Sequence, residues 1–334
     1  FWKRQRRLQH QSCVLYQITL QLQETRDLQS SHLLTRKMCN PTLTKAASVT
    51  NGKSSKTISP TIPSGFNRRK IQIGAAMLGL VALYNSLNYF LKDSTTWLRP
   101  ADEFCENEVD GKCSRSDLFA FQAASAVMQL YMGGMGYYTW HKLKCRGVPQ
   151  TPEGRLFGYL EEADKLLVGI FVYQTYDFFA SVVVPEHNTW IFLGHHALAS
   201  FTAWMSLEYQ MVHYYAVFFG GCSEISTIFL VLCDFDIYFP AEDRGSTWGI
   251  IISLCQVSFT FTFLYYRVIG WWQVSFGLWS DILAVRRKGV IEDYRPGKAW
   301  FLYAFLVMDT LLGSLQLYWF FFGIVPKILE ILND

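Results

Sequence analysis

Residues 191–204 read IFLGHHALASFTAW, and two adjacent histidines, His195 and His196, stand at the head of a run that is otherwise apolar from 190 to 207. Whether that run crosses a bilayer decides the fold, and composition answers it. The 334 residues are 51% hydrophobic, 16% aromatic and 17% charged, too little polar surface for an ordinary soluble domain. The apolar residues are also gathered in long runs. Crossing the hydrocarbon takes roughly 20 largely apolar residues in a helix. Seven stretches qualify, over about 71–91, 117–139, 163–184, 190–207, 211–233, 247–268 and 299–323. The reading is an all-α polytopic membrane protein with about seven transmembrane helices.

Residues 1–70 are of another kind. Thirteen Lys or Arg stand there against two acids, Glu24 and Asp27, in a Ser/Thr/Gln-rich background. With 30 cations and 27 acids in the whole chain, the rest holds 17 against 25, so the net positive charge belongs to the tail. Such a segment reads as a disordered basic tail able to touch anionic headgroups.

Charge also sets an orientation. The tail, the loop with Lys142, Lys144, Arg146 and Arg155, and the loop with Arg286, Arg287, Lys288 and Arg295 fall on one side of a seven-span chain. The opposite loops, KDSTTWLRPADEFCENEVDGKCSRS and DFDIYFPAEDRGS, are acidic, which predicts a cytosolic N-terminus. Cys105 and Cys113 share the first acidic loop at a spacing that suits a lumenal disulfide or an unpaired couple equally. The segment GWWQVSFGLWSDILAVRRKG, with Trp271, Trp272 and Trp279 at one end and cations at the other, reads as an interfacial helix.

Inside the spans, polar and small residues recur at helical spacing: Gln122, Ser125, Gln129; Tyr173, Gln174, Asp177, Ser181; His195, Thr202, Ser206; His213, Glu224, Thr227; Asp309, Gln316. One polar stripe per helix implies a bundle closed around a polar interior. Glycines at 133, 136, 220, 221 and 313 would allow close helix packing. A charge at the membrane centre costs about 2.5–3.5 kcal/mol on insertion scales, so Asp177, the histidine pair, Glu224 and Asp309 should pair, stay neutral or line a wet cavity. Adjacent helical residues point about 100° apart, so one histidine can face the cavity while the other holds a neighbouring helix. His195 shares the face of Thr202 and Ser206 and is the expected cavity residue.

The stretches GHHALASFTAWMSLEYQ, FFGGCSEISTIFL and DTLLGSLQLYWFFFGIVPKIL together resemble the TLC domain, the membrane domain shared by ceramide synthases and translocating-chain-associated proteins. The likeness spans 115–330 and is nearest in pattern to the small TLC-domain-containing proteins. It implies six helices forming a barrel around a lipid-sized tunnel, with residence in the endoplasmic reticulum or, alternatively, the plasma membrane. By this resemblance His195 and His196 stand where ceramide synthases carry a histidine pair used in acyl transfer from acyl-CoA. The sequence departs from those enzymes at Cys222, Ser223, Glu224 and Ile225, where one carboxylate replaces two. Ceramide synthases also place the N-terminus in the lumen, the reverse of the charge count.

Two readings follow. In one, the protein serves lipid homeostasis by binding a membrane lipid or fatty acyl ligand, the cavity residues being Asp177, Thr202, Ser206, His213, Ser223, Thr227, Asp309 and Gln316. In the other it is an acyltransferase with His195, His196 and Glu224 as catalytic candidates and acyl-CoA as co-substrate. No further cofactor is implied. Zinc has no ligand spacing to support it, no nucleic-acid motif appears, and the last span has no lysine for a retinal Schiff base.

Overall fold

The computed structural model describes residues 66–92, 104–105, 115–239 and 245–333. Residues Phe1–Arg68 and Arg69–Asp334 form separate units. Most of the expected basic tail therefore lies outside the described residues, as does Cys113. Cys105 is disulfide-bonded.

The described chain is helical throughout, without a strand. In order, α1 spans Phe66–Leu91, α2 Ser116–Arg146, α3 Pro152–Phe157, α4 Glu161–Val183 and α5 Trp190–Tyr209. Then come α6, His213–Phe219, a 3₁₀ turn at Cys222–Glu224, α7, Ile225–Tyr238, and α8, Gly245–Thr262. A π-helical stretch, Phe263–Gly270, leads into α9, Trp271–Lys288; α10, Ile291–Tyr294, α11, Ala299–Trp319, and α12, Val325–Asn333, complete the chain. The first helix starts at Phe66, five residues before the expected boundary of the tail.

Five stretches are long and apolar enough to cross a membrane: Arg69–Leu91, Glu161–Val183, His213–Tyr238, Thr247–Lys288 and Ala299–Glu330. The protein is thus an all-α polytopic membrane protein. The other two expected spans exist as α2 and α5, of 31 and 20 residues, but fall short in apolarity. The reason is their cargo: Gln122, Ser125, Gln129 and Thr139 are buried in α2, and His196 and Ser206 in α5.

Local chemistry fixes the ends. Thr189 accepts from the Phe192 amide and caps α5; Thr151 does the same for Gly154 in α3, with Pro152 following it. Glu161, Glu162 and Asp164 occupy the first turn of α4, where the helix dipole favours acids. Between α5 and α6, Gln210 and Val212 both take positive φ, 50° and 58°. That link is clamped: Arg295 donates to the carbonyls of Tyr209, Gln210 and Phe157, and the Val212 amide to Leu156 O at 2.7 Å.

One expectation is corrected. Residues 270–289 are not a separate interfacial helix. They continue α8 through the π stretch as one helix of 42 residues, Thr247–Lys288, which at about 1.5 Å per residue outreaches a hydrocarbon core of about 30 Å. Trp271 is buried in the bundle, its indole N–H donating to Asp309 O, and only the end at Arg286–Lys288 keeps the expected cationic character.

Packing closes a ring. α2 contacts α4, α4 contacts α5, α5 contacts α11, α11 contacts α9 and the π stretch, which meets α7, and α7 returns to α2. The five glycines named above all sit at close approaches. The tightest is reciprocal: a Cβ on Gly136 would come 2.2 Å from Gly221 Cα, and one on Gly221 would come 2.5 Å from Gly136 Cα. Only glycine on both sides lets α2 press against the turn that carries Ser223 and Glu224.

Candidate functional site

The histidines divide their roles. Gln174 Oε1 of α4 faces His196 Nδ1 at 2.7 Å, and Asp177 Oδ2, one turn on, lies 3.3 Å from His196 Nε2. His196 Nδ1 is thus hydrogen-bonded and Nε2 faces a carboxylate oxygen, so the residue ties α5 to α4. His195 is only half-buried. Its ring lies edge-on to Trp319 of α11, with centroids 5.2 Å apart, and its Nδ1 is buried with no hydrogen-bond partner. Asp177 Oδ1 and Ser181 Oγ, on the same α4 face, are also buried without partners, as are Ser125 Oγ and Gln129 Oε1 of α2.

A second cluster gathers around Arg267. It is 6% exposed, in the π stretch, and each of its guanidinium nitrogens donates. Nε bonds Ser223 O and Ser226 Oγ, both at 2.9 Å; Nη1 bonds Gln316 Oε1 at 3.1 Å; Nη2 bonds Glu224 Oε2 at 2.9 Å and Thr227 Oγ1 at 2.6 Å. Thr227 in turn donates to Glu224 Oε2. A π-helical turn inside a long helix is a common device at functional positions, since it re-aims one side chain without ending the helix.

The two clusters meet on α11. Gln316 and Trp319, three residues apart and so on one helix face, reach Arg267 and His195 respectively. Gln316 is fully buried, its Nε2 has no partner, and the amide is held by Arg267 at its other end. Two turns earlier on α11, buried Asp309 accepts from Ser275 Oγ at 3.1 Å and from the Trp279 indole at 3.2 Å, both on α9.

Beyond one end of the histidine cluster lies a polar rim. Arg115, preceding α2, makes a two-pronged ion pair with Glu186 at 2.6 and 3.0 Å and also bonds Asp117. The Arg115 guanidinium holds the Glu186 carboxyl below its ordinary range. His187 packs on Phe121, its Nε2 is 3.0 Å from Tyr238 OH, and burial lowers its pKa.

Of the residues singled out in the sequence, His195, His196 and Asp177 come together, and Ser223, Glu224, Thr227 and Gln316 converge on Arg267. Glu224 is engaged with that arginine rather than with either histidine. Thr202 and Ser206 bond carbonyls of their own helix, Leu198 O and Thr202 O. His213 stands apart, its Nδ1 accepting from the Leu160 amide at 3.4 Å. Arg267 and Trp319 escaped the sequence reading. A lone arginine in the apolar stretch FLYYRVIG was the available signal, because intramembrane cations are rare and seldom idle. Among the described residues, no three His, Cys, Asp or Glu side chains are grouped so as to hold a metal ion.

Compared with known proteins, the family whose sequence model is described as the TLC domain matches residues 78–324. No curated protein and no solved structure matches the chain at a significant level.

Proposed function

Because the chain belongs to the TLC-domain family of membrane lipid-related proteins, we propose that it serves membrane lipid homeostasis by holding a lipid in the polar interior of its helix ring, in the endoplasmic reticulum. One observation carries the reading. His195 Nδ1, Asp177 Oδ1 and Gln316 Nε2 are buried without partners, and so are Ser181 Oγ of α4 and Ser125 Oγ and Gln129 Oε1 of α2. Buried polar atoms in native proteins are nearly always satisfied, so unpaired donors and acceptors on α4, α5 and α11 favour a ligand that completes them.

An acyltransferase reading has one point in its favour: the His196–Asp177 contact is of the base-and-orienter kind. Against it, a general base needs a free nitrogen, and those of His196 face Gln174 and Asp177, while among the described residues no carboxylate pairs with His195. Acyl-CoA would enter only in this second reading.

The test compares purified wild type with His195→Ala, recording lipids that co-purify and products formed from long-chain acyl-CoA with sphingoid or glycerolipid acceptors. The binding reading expects a wild-type lipid that the variant loses, with no product. A new acylated product made by wild type alone would replace it with the enzyme reading. Equal lipid content in both proteins would remove His195 from the site.

A further inference from the structure

We infer that the lipid held in this interior carries an uncharged hydrogen-bonding head, of the hydroxyl or amide class, and not a phosphate. The inference rests on the lipid-binding reading above and adds the charge state of the head. A phosphate needs a free cation or a set of free backbone amides. Arg267 is the one lysine or arginine that is buried among the described residues. It is already neutralised by Glu224 at 2.9 Å, and its guanidinium is turned to Ser223, Ser226, Thr227 and Gln316. The other ionisable groups in the His195 to Asp309 region are the carboxyls of Asp177 and Asp309 and the imidazoles of His187, His195 and His196, with no further lysine or arginine buried among the described residues. An anionic head would therefore enter a low-dielectric interior with no cation to receive it and with carboxylates as neighbours, which is strongly unfavourable.

What the interior leaves open is mixed in kind. Asp177 Oδ1 accepts, Gln316 Nε2 donates, and Ser181 Oγ and His195 Nδ1 serve either way. A head that both donates and accepts, such as a hydroxyl or an amide, satisfies this set without bringing in charge, whereas an ionised phosphate brings at least one negative charge beside Asp177. Arg267 is thus a positioning residue. By taking Gln316 Oε1 it fixes the amide so that the N–H₂ end is the one left for a ligand.

The experiment is a competition. The full chain in mixed micelles is offered equimolar dioleoylglycerol, a ceramide, dioleoyl phosphatidic acid and sphingosine, then washed, and bound lipid is read by mass spectrometry. Expected is retention of diacylglycerol or ceramide about tenfold or more over phosphatidic acid, a preference of about 1.4 kcal/mol. Gln316→Leu should lose most of that retention. Glu224→Gln should gain phosphatidic acid, since it releases the guanidinium, and the gain should vanish when Arg267→Gln is added, which non-specific capture by the basic tail would not do. If a variant fails to fold, the wild-type order alone decides. Preference for phosphatidic acid or sphingosine in a His195-dependent manner overturns the head assignment and leaves lipid binding standing. If wild type retains no lipid at all, lipid binding itself fails, and this inference with it.

Discussion

A single side chain, Arg267, organises more of the interior than any residue of the polar stripes. Its guanidinium joins the 3₁₀ turn, α7 and α11, and the pair it makes with Glu224 is almost fully enclosed, with side-chain exposures of 7% and 9%. Such pairs add little net stability over apolar packing, yet removing one partner leaves the other charge buried, at a cost of about 3–5 kcal/mol. Arg267→Met is therefore expected to lower the melting temperature in detergent sharply. Arg267→Lys should fall between, since an ammonium cannot reproduce the forked contacts to five partners. A melting temperature unchanged in Arg267→Met would mean the turn is held to α11 by something else. The rim residues give a second prediction, with a definite sign. Burial depresses the His187 pKa, so its contribution is present above the unfolded value of about 6.5 and is lost as pH falls below it. The Glu186 carboxyl is depressed by Arg115, so its contribution is present above about 4.3 and is lost at still lower pH. Thermal unfolding followed from pH 7.5 to 2.5 should decline in both windows. His187→Gln should flatten the upper one and Glu186→Gln the lower; unaltered slopes in both variants would refute the assignment.

Two elements are brought into register by the absence of side chains. Replacing an exposed helical glycine by alanine ordinarily adds up to about 1 kcal/mol of stability. Gly136→Ala should instead destabilise by about 1–3 kcal/mol, because the new methyl meets backbone of Gly221 and Cys222, which cannot move aside as a side chain would. Gly134→Ala, two residues away with nothing within 4 Å, is the control and should be neutral or stabilising. Unfolding midpoints of the pair in one detergent decide the matter, and two equal shifts would deny the close crossing. The same region marks where periodicity stopped being informative. The spacing that put His213 on one face with Glu224 and Thr227 assumes an unbroken helix, but α6 ends at Phe219 and a 3₁₀ turn intervenes, so His213 meets Leu160 and the other two meet Arg267. Stripes within unbroken helices were legible: Gln174, Asp177 and Ser181 in α4 are all buried, as are Gln122, Ser125 and Gln129 in α2. The tryptophans of α9 misled for a different reason. Amphipathy shows that one helix face differs from the other, but it does not reveal that Asp309 of α11 is waiting to accept from Trp279.

Across the whole molecule, ion pairs and polar bonds of the described residues gather at both ends of the bundle. Lys288 bonds Glu153, Arg155 grips Asp281 with two bonds of 2.6 Å, Lys142 bonds Glu162, and Arg295 clamps the α5–α6 link, all at one end. At the other, Arg115 is bound to Glu186 and Asp117, and Trp248 donates to Asp236. Several cations at the basic end are thus neutralised by local acids, which would erase a rule based on net charge. Topology follows the count of Lys and Arg in short loops, to which acids contribute little, so the basic end is still expected to face the cytosol. The histidine pair, in the first two turns of α5 and just past the Glu186 rim, would then lie nearer the lumen. In sealed microsomes, a cysteine introduced by Gly289→Cys should react with a membrane-impermeant maleimide, whereas one introduced by Asn188→Cys should react only after permeabilisation. The opposite pattern would place the N-terminus in the lumen, as the ceramide synthase resemblance implies. It would also move the end of the bundle nearest His195 to the cytosolic side, where acyl-CoA is made, and so weigh toward the acyltransferase reading. Labelling at both positions without permeabilisation would mean that the two ends are not separated by a bilayer, against the spanning of α4 itself.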